Sequence, residues 1–214
     1  MQLLSINLGQ ERTVNTGKQV EKTGIFKLPA EGPVEVTTLG LVGDCIKDQK
    51  NHGGPDQAVY VYGEADYAWW SAELGQTLAP GTFGDNLTIS NLESALMQIG
   101  DRLQVGAVLL EVTAPRIPCA TLAARMEDPQ FVKKFRAAER PGAYCRVIQT
   151  GHIAAGDPVT HTAYPDETIT VGEMFRAWYA PPTDETSLRH FLASPMAIRS
   201  RKRFGKLLAD VASS

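Results

Sequence analysis

Residues 100–126 read GDRLQVGAVLLEVTAPRIPCATLAARM, and this stretch decides the fold class. Gly100-Asp101 is a turn signal, and RLQVGAVLLEVT has the apolar pattern of two hairpin strands. The Pro-bounded loop APRIPC then hands the chain to ATLAARM, a run of good helix formers. The same pattern extends outward through residues 1–169. LLSINLG (3–9), GIFKL (24–28), AVYVYG (58–63) and AYCRVIQTG (143–151) are short strand-like runs between Gly and Pro, and a second turn, Gly156-Asp157, precedes PVTH. Many short strands of similar length predict a mainly β, α+β fold: a small closed barrel, which hides its own sheet edges. Two helices are expected to interrupt it. EADYAWWSAEL (Glu64–Leu74) sets Tyr67, Trp70 and Leu74 at i, i+3 and i+7, and DPQFVKKFRAA (Asp128–Ala138) opens on Asp-Pro, a good helix entrance.

Near residue 170 the period switches. Thr170-x-x-Glu173 is a capping box ahead of MFRAWY, Asp184 or Thr183 can cap ETSLRHFL, and Ser194-Pro195 opens a third helical stretch ending in KLLAD. The expected organisation is a barrel domain at 1–169 and a small three-helix domain at 170–214. Charge supports that boundary, with seven Lys/Arg against four Asp/Glu in the tail and 14 against 20 before it. The whole chain has 21 basic and 24 acidic residues, so no global positive field draws it to nucleic acid or an anionic membrane. No apolar run approaches the ~18 residues of a membrane span, and MQLLSINLGQERT lacks the features of a secretion signal. The three cysteines, Cys45, Cys119 and Cys145, are odd in number and form no C-x-x-C pair. That argues against a disulfide framework, a zinc knuckle or an iron–sulfur cluster and for free thiols in a reducing cytoplasm.

Cys119 sits at the expected strand-to-helix junction. A helix N-terminus and Arg116 three residues earlier both favour thiolate over thiol, which is what a soft metal or an electrophile needs, and two prolines restrict the loop. The competing reading is a small residue filling a core gap, the role expected of Cys145 in its strand. Cys45 carries no clear role. The loop Lys47–Asp56, KDQKNHGGPD, has an anion-binding composition. Gly53 and Gly54 can turn backbone N–H groups toward an oxyanion while Lys50 or His52 adds charge, although an ordinary solvated turn has the same look. PGTFGDNL (80–87) is a Gly-rich turn in which Phe83 and Asn86 could meet a flat polar ring. No Walker or G-x-G-x-x-G pattern occurs.

Taken in order, D-x(7)-H-G-G-P-D-x-A-V-Y at 44–60, F-G-D-N-L at 83–87 and P-R-x-P-C at 115–119 resemble the MOSC family, and residues 1–169 are most similar to its stand-alone bacterial YiiM-like branch. The tail resembles the three-helix extension of that branch. The resemblance implies a β-barrel that carries the molybdenum cofactor, a metal held by the dithiolene of a phosphorylated pterin (molybdopterin). By motif position, Cys119 would be the catalytic thiolate on molybdenum. Arg116 with Lys50, Asn51, His52, Gly53 and Gly54 would neutralise the phosphate and the metal centre, and Asn86 with the Phe83-Gly84 backbone would hold pterin edges. Asp85 stands where the family commonly carries Glu.

For activity, the resemblance implies a reductase of N-hydroxylated compounds (hydroxylaminopurines, hydroxylamines, amidoximes), served by a separate electron-donating reductase because no nicotinamide or flavin fingerprint is present. It is also compatible with a homodimer. Three other readings stay open: a carrier that stores or delivers the cofactor without turnover, a Cys119 persulfide carrier that passes on sulfur, and a barrel that has lost its chemistry and binds a partner. Arg199, Arg201, Lys202, Arg203 and Lys206 read as a solvated helix face or as a dock for an acidic electron donor. Trp69, Trp70 and Trp178 read as core or as packing between barrel and tail.

Overall fold

The computed structural model describes residues 1–17, 19–47 and 52–213. In chain order the strands are β1 (Leu3–Gly9), β2 (Arg12–Asn15), β3 (Val20–Thr23), β4 (Lys27–Pro29), β5 (Val34–Thr37), β6 (Gly40–Leu41), β7 (Val59–Gly63), β8 (Leu87–Ile89), β9 (Arg102–Val105), β10 (Val108–Pro115), β11 (Ala143–Gln149), β12 (Gly151–Ile153) and β13 (Val159–Thr162). The α-helices are α1 (Glu64–Leu74), α2 (Ala120–Arg125), α3 (Phe131–Ala138), α4 (Val171–Tyr179), α5 (Glu185–Ala193) and α6 (Ile198–Ala212).

Eight strands form one sheet in the order β13-β9-β10-β11-β7-β8-β1-β4. Its end curls back to meet β1. Leu3 N–H donates to the Asp157 carbonyl (2.9 Å), Gly156 N–H to Leu3 (2.8 Å) and Val159 N–H to Met1 (3.0 Å), beside an antiparallel bridge between Gln2 and Pro158. These bonds close the expected barrel and spend the edge groups that an open sheet would leave unpaired. β7 and β8 are the parallel pair, so α1 bridges them as a crossover. A second sheet, β12-β5-β6, and the β2–β3 hairpin lie outside the main one.

β7 is buried along its whole length, and alternation explains what covers it. Val59 and Val61 share one face with the aliphatic core. Tyr60 and Tyr62 share the other, where Tyr62 stacks on Phe83 (4.8 Å between centroids) in an aromatic cluster with Tyr67, Trp70, Phe131 and Phe135 from α1 and α3. Aromatic pairs in these tilted and edge geometries add about 0.5–1.5 kcal/mol each beyond their buried area.

Local signals hold closely. α1 spans the expected residues and stops at Gly75, which is left-handed. The Thr170–Glu173 capping box opens α4, and the Asp184 carboxylate accepts from Ser187 N–H (2.8 Å) to open α5. Two helices start later than the sequence implies. Asp128 spends its carboxylate on Gln130 N–H (2.8 Å) in an entry turn, so α3 begins at Phe131. Ser194-Pro195 is held outside α6 by Arg201 and Arg146, which donate to the Ser194 and Pro195 carbonyls.

The tail lies directly on the barrel. Ala197 N–H donates to the Thr113 carbonyl (3.0 Å), Ile198 N–H to the Asp56 carboxylate (2.7 Å), and Val171 N–H to Met97 (2.7 Å). A single hydrophobic cluster runs from Leu3 and Val112 through Phe175 to Leu188 and Phe204. Among the described residues no helix is long and apolar enough to cross a membrane.

Candidate functional site

β10 delivers the chain to the site. Thr113 pins the strand by donating to the Asp56 and Tyr144 carbonyls (2.6 and 3.0 Å), and Pro115-Arg116-Ile117-Pro118 then crosses to α2. Cys119 is the N-cap of α2 in an extended conformation. It opens into a cavity of about 850 Å³ whose walls come from distant parts of the chain. The β2–β3 hairpin forms one side, Lys27 and Cys45 lie deeper, Tyr60, Tyr144 and Arg116 line the barrel face, and Met174, Trp178, Arg199 and Ser200 come from the tail.

The three thiols are unpaired, as expected, but differ in environment. Burial pushes the Cys119 thiol up, yet a hydrogen bond from His52 and the charges of Arg116 and His52 outweigh it, bringing the pKa from 9.0 to about 6. The Leu122 N–H, which bonds the Cys119 carbonyl (3.1 Å), adds a smaller pull. Cys119 is therefore mostly thiolate at neutral pH. Cys145 is fully buried without such partners and is pushed the other way, confirming it as packing. His52 has Nδ1 3.2 Å from the Tyr144 hydroxyl, which orients the ring that faces the sulfur.

Arg116 is 5% exposed, and its guanidinium lies over the Tyr60 ring, 5.1 Å from the centroid. Among the described residues it makes no ion pair with a carboxylate, and its Nε has no hydrogen-bond partner. A buried guanidinium left in this state is a strong anion receptor. Gly84 makes room for it. Gly84 is left-handed at φ +75°, and a Cβ there would stand 2.9 Å from Ile25 and 3.4 Å from Arg116 Nη1.

Lys27 is a site residue that the sequence reading did not single out. It pairs with Asp44 in a buried ion bridge, and Asp44 also accepts from Gly9 N–H (2.7 Å) and Asn86 Nδ2 (2.9 Å). The available signal was a lysine in the otherwise apolar run GIFKL. The tail residues were also missed as cavity lining, because nothing local ties them to Cys119.

His52, Gly84, Asn86, Arg116 and Cys119 come together at this cavity, while several expected contacts do not. Phe83 is fully buried in the aromatic cluster and does not line it. Asn86 lines it but has its carboxamide committed: Oδ1 accepts from Tyr60 N–H (3.1 Å), and Nδ2 donates to Asp44 and to the Asn7 carbonyl (3.4 Å). It ties β8 to β7 and β1 and is not free to hold a ring edge. Gly53 and Gly54 are absent from the lining, and Gly54 caps the 3-10 turn Pro55–Gln57. Lys50 and Asn51 lie outside the described residues.

Asp85 is a buried structural knot, accepting from the Tyr67 and Thr88 hydroxyls (2.7 and 2.8 Å). Trp70 is core, and Trp69 packs edge-on against it (5.0 Å) beside Arg140. Of the basic tail residues, Arg201 caps α5 by donating to the Leu192 and Ser194 carbonyls, Arg203 sits on Trp178 and Arg199 lines the cavity. Lys202 and Lys206 are the two left on an exposed face.

The family model described as the MOSC domain matches residues 48–160. YflK, an uncharacterized protein of Bacillus subtilis, is 33% identical over 192 residues, 89% of this chain and 86% of that one. A protein of Gibberella moniliformis named "Reductase" is also 33% identical, over 82% of this chain but 32% of its own length. The crystal structure of YiiM from Geobacillus stearothermophilus superposes with a TM-score of 0.80 at 25% identity, covering 97% of this chain and 98% of that one. A closed barrel with a cysteine-bearing strand-to-helix loop, a family match across that loop and a near full-length structural counterpart agree: this chain belongs to the MOSC domain family and fits its stand-alone YiiM-like branch.

Proposed function

We propose that the protein is a molybdenum-cofactor-dependent reductase of N-hydroxylated compounds. The observation that carries this reading is the pairing, in one cavity, of a thiolate with a pKa of about 6 and a buried guanidinium that makes no ion pair with a carboxylate among the described residues. The donor set fits the cofactor that the family implies. A soft thiolate suits molybdenum, and Arg116 suits a pterin phosphate. Lys27, already neutralised by Asp44, adds hydrogen-bond donors more than net charge. The relative named "Reductase" supports the reaction class.

Cys119 would hold the metal and Arg116 the phosphate, with Lys50 and Asn51 as further candidates. When bound, the cofactor supplies two-electron removal of oxygen from an N–O bond. The balanced reaction takes R–NHOH with two electrons and two protons to R–NH2 and water. His52, held by Tyr144, fixes the sulfur in place. The hairpin and tail form walls of the cavity around this pair. We infer a separate reductase as electron source and a reducing cytoplasm as location, in keeping with the three free thiols.

The test compares molybdenum and pterin content of wild type and Cys119→Ala from a host able to make the cofactor, then assays N-hydroxylated substrates with a chemical electron donor. Near-stoichiometric metal, lost in the variant, with turnover by wild type is expected. Bound cofactor without turnover would replace this reading with a carrier. A wild type lacking both metal and pterin would favour a persulfide carrier using the same acidic thiol.

A further inference from the structure

Trp178 is a large aromatic that stands outside the packed hydrophobic core. Trp70 is fully buried among rings, and Trp69 packs against it. Trp178 is half-buried and lies outside the shell packed on the hydrophobic core. Its one ring contact among the described residues is the Arg203 guanidinium, 4.3 Å from the centroid, and Arg203 Nη2 also donates to the Trp178 carbonyl (2.9 Å). Trp178 lines the cavity together with Met174, which is one turn earlier on the same face of α4. Arg199 and Ser200 of α6 complete that wall.

These four residues fall beyond residue 160, outside the segment matched by the MOSC model. The cavity thus joins Cys119, on the barrel, with a wall built by the tail. An indole held on one side by a cation has its orientation set in advance. A planar ligand that stacks on it then loses less free energy to ordering the side chain.

We propose that Trp178 is the specificity-determining residue of this cavity, selecting N-hydroxylated compounds whose skeleton is a flat conjugated ring over aliphatic ones, with Arg203 as its positioning residue. The proposal rests on the reductase reading for its substrate chemistry, and on the position of the indole for its selectivity.

The test uses the cofactor-loaded full chain, a chemical electron donor and a matched pair, benzamidoxime and acetamidoxime, which differ by a phenyl ring against a methyl group. The readout is the ratio of their kcat/KM values. Trp178→Ala is expected to lower the benzamidoxime preference at least about tenfold, the scale of one aromatic stacking contact. Trp178→Phe, which keeps a ring, should stay within about threefold of wild type. Arg203→Ala should lower the ratio in part, and Arg203→Lys should restore it. A Trp178→Ala ratio within twofold of wild type overturns the proposal.

Calorimetric binding of benzamidine, the amine-side product, gives a readout without turnover. A wild type that reduces neither amidoxime sinks the reductase reading. The stacking wall still stands in that case if benzamidine binding weakens about tenfold in Trp178→Ala and survives in Trp178→Phe. Equal benzamidine affinity in wild type and Trp178→Ala, or no binding by wild type, overturns it.

Discussion

At the scale of single residues, Cys119 and Arg116 show how sequence context sets chemistry. The order P-R-I-P-C already places a cation and a helix start beside the thiol, and both lower its pKa as expected. A larger contribution, the hydrogen bond from His52, is made by a residue that no local rule connects to Cys119. The sign of the pH dependence follows. The folded pKa is depressed, so ionisation of Cys119 favours the native state above the unfolded value near 9, and that gain is lost as pH falls through about 6. Alkylation of Cys119 in cofactor-free protein should therefore have a midpoint near pH 6, while Cys145 stays unreactive until the chain unfolds. Arg116→Met should move that midpoint upward, toward the unfolded value near 9. Mass-spectrometric mapping of iodoacetamide labelling against pH checks both, and an unshifted midpoint in Arg116→Met would show that the guanidinium does not act on the sulfur.

At the scale of elements, the cavity exists because neighbouring elements are held in place by contacts distant in sequence. The β2–β3 hairpin is latched to α2 by the Thr121 hydroxyl donating to Glu21 Oε1 (2.6 Å), across 100 residues of sequence. The barrel wall behind Tyr60 depends on the aromatic cluster, in which Phe83 touches Tyr62, Tyr67, Trp70, Phe131 and Phe135. Phe83→Ala should cost about 3–5 kcal/mol, as expected for deleting a fully buried ring. Chemical denaturation measures it. A loss below about 1 kcal/mol would mean that the cluster collapses around the gap and does not depend on Phe83. The sequence motif F-G-D-N-L pointed to pterin contacts. The elements instead turn Phe83 and Asp85 inward and leave Gly84 and Asn86 at the cavity, because a turn between a buried face and an open one sends successive side chains to opposite sides.

At the scale of the whole molecule, barrel and tail share one hydrophobic cluster and one cavity. Residues 1–169 and 170–214 are therefore expected to unfold in a single transition, seen as coincident loss of β and helical signals, with Phe204→Ala lowering that one midpoint. Two separated transitions would establish the tail as an independent domain. The main barrel strands β1, β7, β9, β10 and β11, the bounds of α1, the capping box at Thr170, the turn glycines and the share of Cys119 acidity that comes from Arg116 were determined by the sequence itself, because periodicity, caps and neighbouring charge act over a few residues. Barrel closure at Leu3 and Asp157, the Lys27–Asp44 bridge, the hydrogen bond from His52 to Cys119 and the tail wall at Trp178 were decided by the tertiary structure alone. These contacts join residues far apart in the chain. Loop closure and burial select such contacts once the core has formed, and no local pattern records them.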